Sequence, residues 1–189
     1  MPQQGFSLIE LLMGLAIGAI VLSLVSPAFA AFTESAHRDL AARSLLKGIR
    51  NARTQAITRN QSVVIHGIEG DWSQGWRIIL DISGKGAQDS SNPVLVEHAS
   101  DGRTPIVGNW LVSRYVRFSS LGQPLMPGRA FQAGTLHVCS AREPVSQLQV
   151  VLAATGRVRL TSAKAEQALC LKTKNVRSNA RAALSASRT

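Results

Sequence analysis

A long apolar run opens the chain, and apolar residues at helical spacing follow it. No charged residue occurs from Leu11 to Thr33. At about 1.5 Å of rise per residue, a helix of that length spans a hydrocarbon layer of roughly 30 Å. Beyond it, apolar residues recur at steps of three and four: Ala41, Leu45, Ile49, Ala52 and Ala56. This spacing predicts that the helix continues to about Arg59 and packs one face on a sheet.

The rest of the chain changes to short segments that are typical of β-strands. Seven segments rich in β-branched and apolar residues are separated by clusters of Gly, Pro, Asn and Asp. They are residues 62–67, 76–82, 93–99, 114–120, 134–140, 147–153 and 156–162. Residues 71–75 are predicted to form the turn between the first two strands. The pattern predicts an α+β fold, with a long helix and an antiparallel sheet or small sandwich.

One carboxylate interrupts the apolar start of the chain and limits what this segment can be. A charge such as that of Glu10, buried near such a helix, costs about a few kcal/mol, so it must be exposed, paired or functional. Three interpretations are open: a secretory signal peptide cleaved after Ala30, a plain membrane anchor, and the anchor of a processed subunit. Glu10 and the absence of Lys and Arg from residues 1–4 argue against the signal peptide.

The sequence GFSLIELL, which begins at Gly5, resembles the processing motif of type IV prepilins and type II secretion pseudopilins. The resemblance implies that prepilin peptidase cleaves after Gly5 and methylates the new amino terminus at Phe6. That terminus carries a positive charge one helical turn from Glu10. The carboxylate can therefore neutralise the amine of its own chain or of a neighbouring pilin in a filament.

The same resemblance divides the amino-terminal part of the chain. Residues 1–5 would be the leader, residues 6–32 the transmembrane and filament-core helix, and residues 33–60 its amphipathic continuation. The protein would cross the inner membrane of a Gram-negative bacterium once, expose a periplasmic domain and assemble into a type IV pilus. Its partners would be prepilin peptidase, the inner membrane and other pilins.

A second pattern follows over residues 50–82. It contains Ala-Arg, Ala-Ile, a strand, Trp-x-x-Gly-Trp and an apolar strand that ends in Asp; the residues are Ala52, Arg53, Ala56, Ile57, Trp72, Gly75, Trp76 and Asp81. The pattern resembles the GspH/FimT family of minor pilins and pseudopilins. The resemblance implies a pilin-like fold, in which a long amino-terminal helix packs on two small antiparallel sheets, with residues 61–170 as the periplasmic domain. We expect Trp72 and Trp76 to pack in the core rather than to stack on bases.

The chain has two cysteines, Cys139 and Cys170. A periplasmic domain lies in an oxidising compartment, where a disulfide can persist. A bridge between them would close a loop of about 30 residues and contribute roughly 3–4 kcal/mol by restricting the unfolded chain. Two free thiols are the alternative.

Positive charge is concentrated at the carboxyl end. The chain has 21 Lys and Arg against 11 Asp and Glu, a formal net charge of +10. From Gly156 to Thr189 there are eight basic residues and one acidic residue. A basic end is typical of a site for nucleic acid or an anionic membrane surface, and a solvated tail is the alternative. Arg43, Lys47 and Arg50 line one face of the predicted helix, which we interpret as a solvated face.

The sequence Gly156-Arg157-Val158-Arg159 begins this basic end. On a strand, Arg157 and Arg159 project to the same face about 6–7 Å apart, which matches the spacing of successive phosphates along DNA. Gly156 permits a turn or a close approach of a ligand to the backbone. The sequence resembles the Gly-Arg-x-Arg motif of the DNA-binding FimT branch, which implies that both arginines contact DNA. Further candidates, by charge alone, lie in a basic tail over residues 171–189: Lys172, Lys174, Arg177 and Arg181.

These patterns predict a minor type IV pilin that binds DNA without sequence specificity, for DNA uptake in natural transformation. Two alternatives remain open: a minor pilin that primes pilus assembly, and a type II secretion minor pseudopilin, neither of which binds DNA. The sequence contains no phosphate loop, nucleophile elbow or HExxH, and its four histidines lack the spacing of metal ligands. We therefore predict no enzymatic activity, no cofactor and no metal site.

Overall fold

The computed structural model describes residues 8–141 and 143–171. The chain divides into two units, Met1–His37 (unit 1) and Arg38–Thr189 (unit 2). The helix α1 is Leu8–Arg59, so the prediction of a helix ending at about Arg59 is confirmed. The predicted pilin-like α+β fold is confirmed as well, since the helix is followed by two antiparallel sheets.

Unit 1 contains the amino-terminal part of α1. Glu10 lies in its first turn and is exposed, while Gly5 and Phe6 lie outside the described residues. Within the part of the chain that the structure describes, no helix combines the length and the apolar character needed to cross a membrane. The transmembrane assignment of residues 6–32 stays a prediction.

Unit 2 contains nine strands within the described residues. They are β1 Val63–Ile68, β2 Asp71–Leu80, β3 Val94–Ala99, β4 Ile106–Gly108, β5 Tyr115–Phe118, β6 Gly134–Cys139, β7 Val145–Leu152, β8 Val158–Thr161 and β9 Ala165–Glu166. Sheet I has the strand order β3-β2-β1-β5. Sheet II has the order β4-β6-β7-β8, and β9 pairs with the end of β7. Every pair is antiparallel. The strand β8 is the last in this order and therefore lies at one edge of sheet II.

The seven predicted strands are all present, but the predicted turn over residues 71–75 is wrong. The strand β2 begins at Asp71, and the chain reverses at Glu69 and Gly70, which both have positive φ, +54° and +78°. Trp72 and Ser73 are buried, so this stretch behaves as a strand. The strands β4 and β9 were not predicted, because three and two residues are too few to show a period.

One face of α1 packs against the sheets and forms the core of unit 2. Its buried residues are Ala42, Leu45, Ile49, Ala52 and Ala56. The predicted stripe is thus correct except at its start, where Ala42 is buried and Ala41 only partly so. All buried residues of this core lie between Ala42 and Val158, so unit 2 contains its core entirely.

Both tryptophans of the family pattern are part of this core, as predicted. The Trp72 indole N–H donates to the carbonyl of Ser113 at 2.9 Å, and that of Trp76 donates to Ser44 Oγ at 3.3 Å. A Cβ on Gly48 would lie 2.7 Å from the Trp76 ring, so a glycine is required for α1 to approach this side chain. The Trp76 ring therefore joins the helix to sheet I, and the Trp72 indole joins β2 to the segment before β5.

A buried ion pair connects β2 to β5 at one end of sheet I. Asp81 directly follows β2, and its Oδ2 lies 3.0 Å from Nε of Arg117 in β5. The carboxylate is fully buried, and its Oδ1 accepts a hydrogen bond from the N–H of Gly86 at 2.9 Å. The aspartate of the family pattern thus fixes two strands that are not neighbours, together with the loop that follows β2.

We expect Asp81→Ala to lower the free energy of unfolding of unit 2 by about 3 kcal/mol, because Arg117 loses its counter-ion and Gly86 its acceptor. Urea unfolding followed by circular dichroism measures the loss. Glu97→Ala is the matched control, since it removes the acid of the exposed Arg77–Glu97 pair, and surface pairs contribute at most about 1 kcal/mol. Equal losses in the two variants would contradict the role assigned to the buried pair.

Candidate nucleic-acid interface

The Gly-Arg-x-Arg sequence forms the turn and first residues of the β7–β8 hairpin. The N–H of Ala153 donates to the carbonyl of Arg157, and that of Gly156 donates to the carbonyl of Ala153, both at 2.9 Å. Gly156 has φ +80°, the left-handed conformation that closes a three-residue hairpin loop. The hairpin therefore needs a glycine at this position.

Arg157 and Arg159 are exposed on the two sides of the buried Val158. This alternation places the two arginines on one face, as the sequence predicted. Within the described residues, neither guanidinium group has a hydrogen-bond or ion-pair partner. Both are therefore available to an anion.

Two arginines of α1 lie along the outer edge of β8. Arg50 Nη2 donates to the carbonyl of Val158, and Arg53 Nη1 donates to the carbonyl of Gly156, both at 3.1 Å. No other strand among the described residues pairs with this edge, and the two bonds satisfy carbonyl acceptors there. They also fix the hairpin to the helix, so the core of unit 2 determines where Arg157 projects.

The turn at Gly156 packs closely against a second turn. A Cβ on Gly156 would lie 2.6 Å from the carbonyl oxygen of Gly122 and 3.1 Å from Arg53 Nε. Gly122 has φ +72°, and a Cβ there would lie 2.7 Å from Ile57 on α1. The space beside Gly156 is thus occupied by the protein itself, and the glycine serves the turn and its packing.

The predicted basic face of α1 is exposed at Arg43, Lys47 and Arg50. It is more than a solvated face, because Arg50 contacts β8. This role of Arg50 and the packing of Arg53 against both turns were not predicted from the sequence. Arg53 was part of the family pattern, which was the one available signal; the contact with Gly156 spans 103 residues and has no local signature.

The segment that leads into the basic tail is attached to sheet II. Cys139 and Cys170 form a disulfide with a Cα–Cα distance of 5.8 Å, which confirms the predicted bridge. Nearby, the Gln167 side-chain amide lies 3.2 Å from His137 Nε2. The tail residues Lys172, Lys174, Arg177 and Arg181 lie outside the described residues. The structure therefore shows where the tail begins, next to the disulfide-bonded Cys170.

His137 is part of this attachment. Its Nδ1 lies 3.1 Å from Ser146 Oγ, and burial lowers the pKa of the imidazole below its usual value. A neutral ring with the proton on Nδ1 can donate to Ser146 and accept from Gln167. Elsewhere His98 stacks on Trp76. In the described part of the chain, no three His, Cys, Asp or Glu side chains are grouped as metal ligands.

Two family profiles match the chain. The prokaryotic N-terminal methylation motif matches residues 1–26. The family described as "Type II transport protein GspH" matches residues 41–156, which is more than half of the chain. The chain belongs to the GspH family. The sequence-based assignment is confirmed, and the GspH-family match ends at Gly156, immediately before the two exposed arginines.

Solved structures with the same fold include the type IV minor pilin FimU of Pseudomonas aeruginosa strain PAO1, in two crystal forms. The first matches with a TM-score of 0.57 at 20% identity, over 72% of this chain and 98% of that chain. The second matches with a TM-score of 0.55 at 20% identity, over 68% and 98%. No curated protein matches the chain in sequence.

The chain is thus a GspH-family protein with an N-terminal methylation motif, and it shares its fold with the minor pilin FimU. The N-terminal methylation motif implies processing by prepilin peptidase. The cleavage site between Gly5 and Phe6 stays a prediction, as do the roles of the individual residues of the interface.

We expect Gly156→Ala to lower the free energy of unfolding of unit 2 by about 2–4 kcal/mol. The alanine must adopt positive φ, which costs about 1 kcal/mol, and its Cβ collides with the Gly122 carbonyl. Gly70→Ala is the matched control, because Gly70 has φ +78° but no atom within 4 Å of the added Cβ. Urea unfolding compares them, and an equal loss would mean that close packing at Gly156 is unimportant.

Reduction of the Cys139–Cys170 disulfide should lower the free energy of unfolding by about 3 kcal/mol, since the bridge closes a loop across a sequence separation of 31. Urea unfolding of unit 2 with and without reductant measures the difference. In the Cys139→Ala/Cys170→Ala variant the reductant should change nothing. A parent midpoint that is unaffected by reductant would contradict a stabilising bridge.

Proposed function

We propose that this protein is a minor type IV pilin that binds DNA through the phosphate backbone and serves DNA uptake in natural transformation. The observation that carries the proposal is the pair Arg157 and Arg159. Both are exposed, both lack an intramolecular partner within the described residues, and both lie on a hairpin fixed to α1.

The spacing and chemistry of the pair suit phosphates. Alternate residues on a strand are about 6–7 Å apart, close to the separation of successive phosphates on one DNA strand. An arginine is always charged and can donate two hydrogen bonds to one phosphate. A hairpin with two arginines contacts the backbone and offers no helix for the major groove, so binding should be insensitive to base sequence.

The tail would add positive charge to the domain. Lys172, Lys174, Arg177 and Arg181 follow the disulfide at Cys170, which anchors the start of the tail to sheet II. With the two hairpin arginines, about four to six phosphates would be neutralised. A logarithmic plot of the binding constant against salt should then have a slope of about −4 to −5 on duplex DNA.

The cellular setting belongs to the same proposal. Prepilin peptidase would remove residues 1–5, and residues 6–32 would hold the subunit in the inner membrane as a single span before assembly. The domain of residues 61–170 would face the periplasm of a Gram-negative bacterium. In the pilus, Glu10 would neutralise the methylated amine of Phe6 on its own or a neighbouring subunit.

A second candidate function is that of a type II secretion pseudopilin, because the matching family is described as a type II transport protein. A minor pilin that primes pilus assembly is a related possibility. In either case the arginines on the hairpin would be solvated, and the domain would not bind DNA.

A gel shift with residues 33–189 tests the proposal. Arg157→Ala/Arg159→Ala should reduce the affinity for duplex DNA at least tenfold and make the salt slope about two units less negative, because two phosphate contacts are lost. The matched control Arg43→Ala/Lys47→Ala removes the same charge from the exposed face of α1 and should have a small effect. Circular dichroism checks that each variant folds.

Two outcomes would decide against the proposal. If both double variants lose affinity equally, binding depends on net charge and the hairpin is not the site. If the parent domain does not bind DNA at moderate salt, the assembly or secretion function is correct. Transformation, twitching and secretion assays on the deletion strain then separate those two.

A further inference from the structure

Trp110 is the most exposed large apolar side chain among the described residues. It is 84% exposed, whereas Trp72 and Trp76 are 2% and 8% exposed. Indole rings carry a large apolar area that proteins usually bury against another group. The Trp110 ring neither packs in the core nor takes part in the proposed phosphate contacts.

The segment that carries Trp110 is held in place by other residues. Val112 is fully buried, and the buried side chain of Gln132 donates to the carbonyls of Leu111 at 2.7 Å and of Tyr115 at 2.9 Å. Trp110 lies next to Leu111 in the turn Trp110–Val112. The ring is thus presented on ordered backbone, and removing it should not disturb the fold.

Trp110 lies at the same end of sheet II as the hairpin arginines. The N–H of Asn109 donates to the carbonyl of Thr135, which pairs with Val151, which in turn pairs with Arg159. Asn109 lies directly after β4, and together with Thr135 of β6, Val151 of β7 and Arg159 of β8 it forms one row across sheet II. Trp110 follows Asn109 and so lies one residue beyond the row. Arg157, which precedes β8, lies beyond the row on the same side.

The distance along this row suits a nucleic-acid strand. Neighbouring strands are about 4.8 Å apart, so three spacings separate the Trp110 end from Arg159 by roughly 14 Å. That is about two nucleotide spacings of an extended single strand. A strand held at Arg157 and Arg159 by its phosphates can therefore place a base at Trp110.

We propose that Trp110 stacks on an unpaired base, so that this surface prefers single-stranded over duplex DNA; the inference rests on the proposed DNA binding. A duplex keeps its bases stacked on each other, and they cannot reach the ring. Phe131, 61% exposed, precedes Gln132 on the neighbouring segment and offers a second aromatic ring. Aromatic stacking beside a positively charged groove is the usual way to bind single strands without sequence specificity.

The test uses the full chain in detergent, with fluorescence anisotropy of labelled oligothymidylate and of a duplex of equal length. Trp110→Ala should weaken single-strand binding roughly five- to a hundredfold and leave duplex binding within about twofold. Trp110→Phe should retain most of the affinity. Ile82→Ala is the matched control, because it removes another exposed apolar side chain, 67% exposed, beside sheet I. Arg157→Ala/Arg159→Ala should weaken both complexes.

A spectroscopic readout is specific to the ring. Because the other two tryptophans are buried, iodide should quench mainly Trp110, and bound single strands should protect it. Unchanged single-strand affinity in Trp110→Ala would overturn the stacking inference while leaving DNA binding by the parent intact. A parent protein that binds neither single-stranded nor duplex DNA would overturn the proposed function and this inference together. Loss of filament incorporation with unchanged single-strand affinity would assign Trp110 to a pilin contact instead.

Discussion

Two hydrogen bonds from α1 to the β7–β8 hairpin hold together the elements on which the candidate interface depends. Arg50 and Arg53 donate to carbonyl oxygens at the outer edge of sheet II, and Arg53 lies where the turns at Gly122 and Gly156 meet. The same stretch of helix buries Ala52 in the core. Arg157 and Arg159 are therefore held on a backbone whose position the core fixes, so less conformational freedom is lost when an anion binds.

Local periodicity explains what could be predicted from the sequence. The end of the helix at Arg59 follows from the spacing of apolar residues, and the shared face of Arg157 and Arg159 follows from the alternation of side chains along a strand. The turn over residues 71–75 was mispredicted because its polar residues resemble a loop, whereas the reversal needs positive φ at two residues just before it. The bond from Arg53 joins positions 103 residues apart, and one sequence offers no local signal for such a contact.

The family and the fold do not by themselves specify what the domain binds. The GspH-family match ends before the hairpin arginines, and FimU at 20% identity shares the architecture. The groups assigned to DNA lie on an edge strand and in a connection between strands, where related proteins vary most freely. In a shared fold, function depends on such sites, and the proposed DNA binding depends on an arginine pair that the buried core presents but does not need.

The hydrogen bonds from Arg50 and Arg53 to the edge of β8 also affect how copies of the protein behave when they are crowded. An uncovered edge strand is a template to which another chain can add a strand, which is a common route to aggregation of β-rich domains. The guanidinium groups of Arg50 and Arg53 occupy two of the carbonyl acceptors on this edge. The positive charge of these guanidinium groups also repels the same groups on a second molecule. Subunits held side by side at high density are thereby hindered from fusing their sheets through β8.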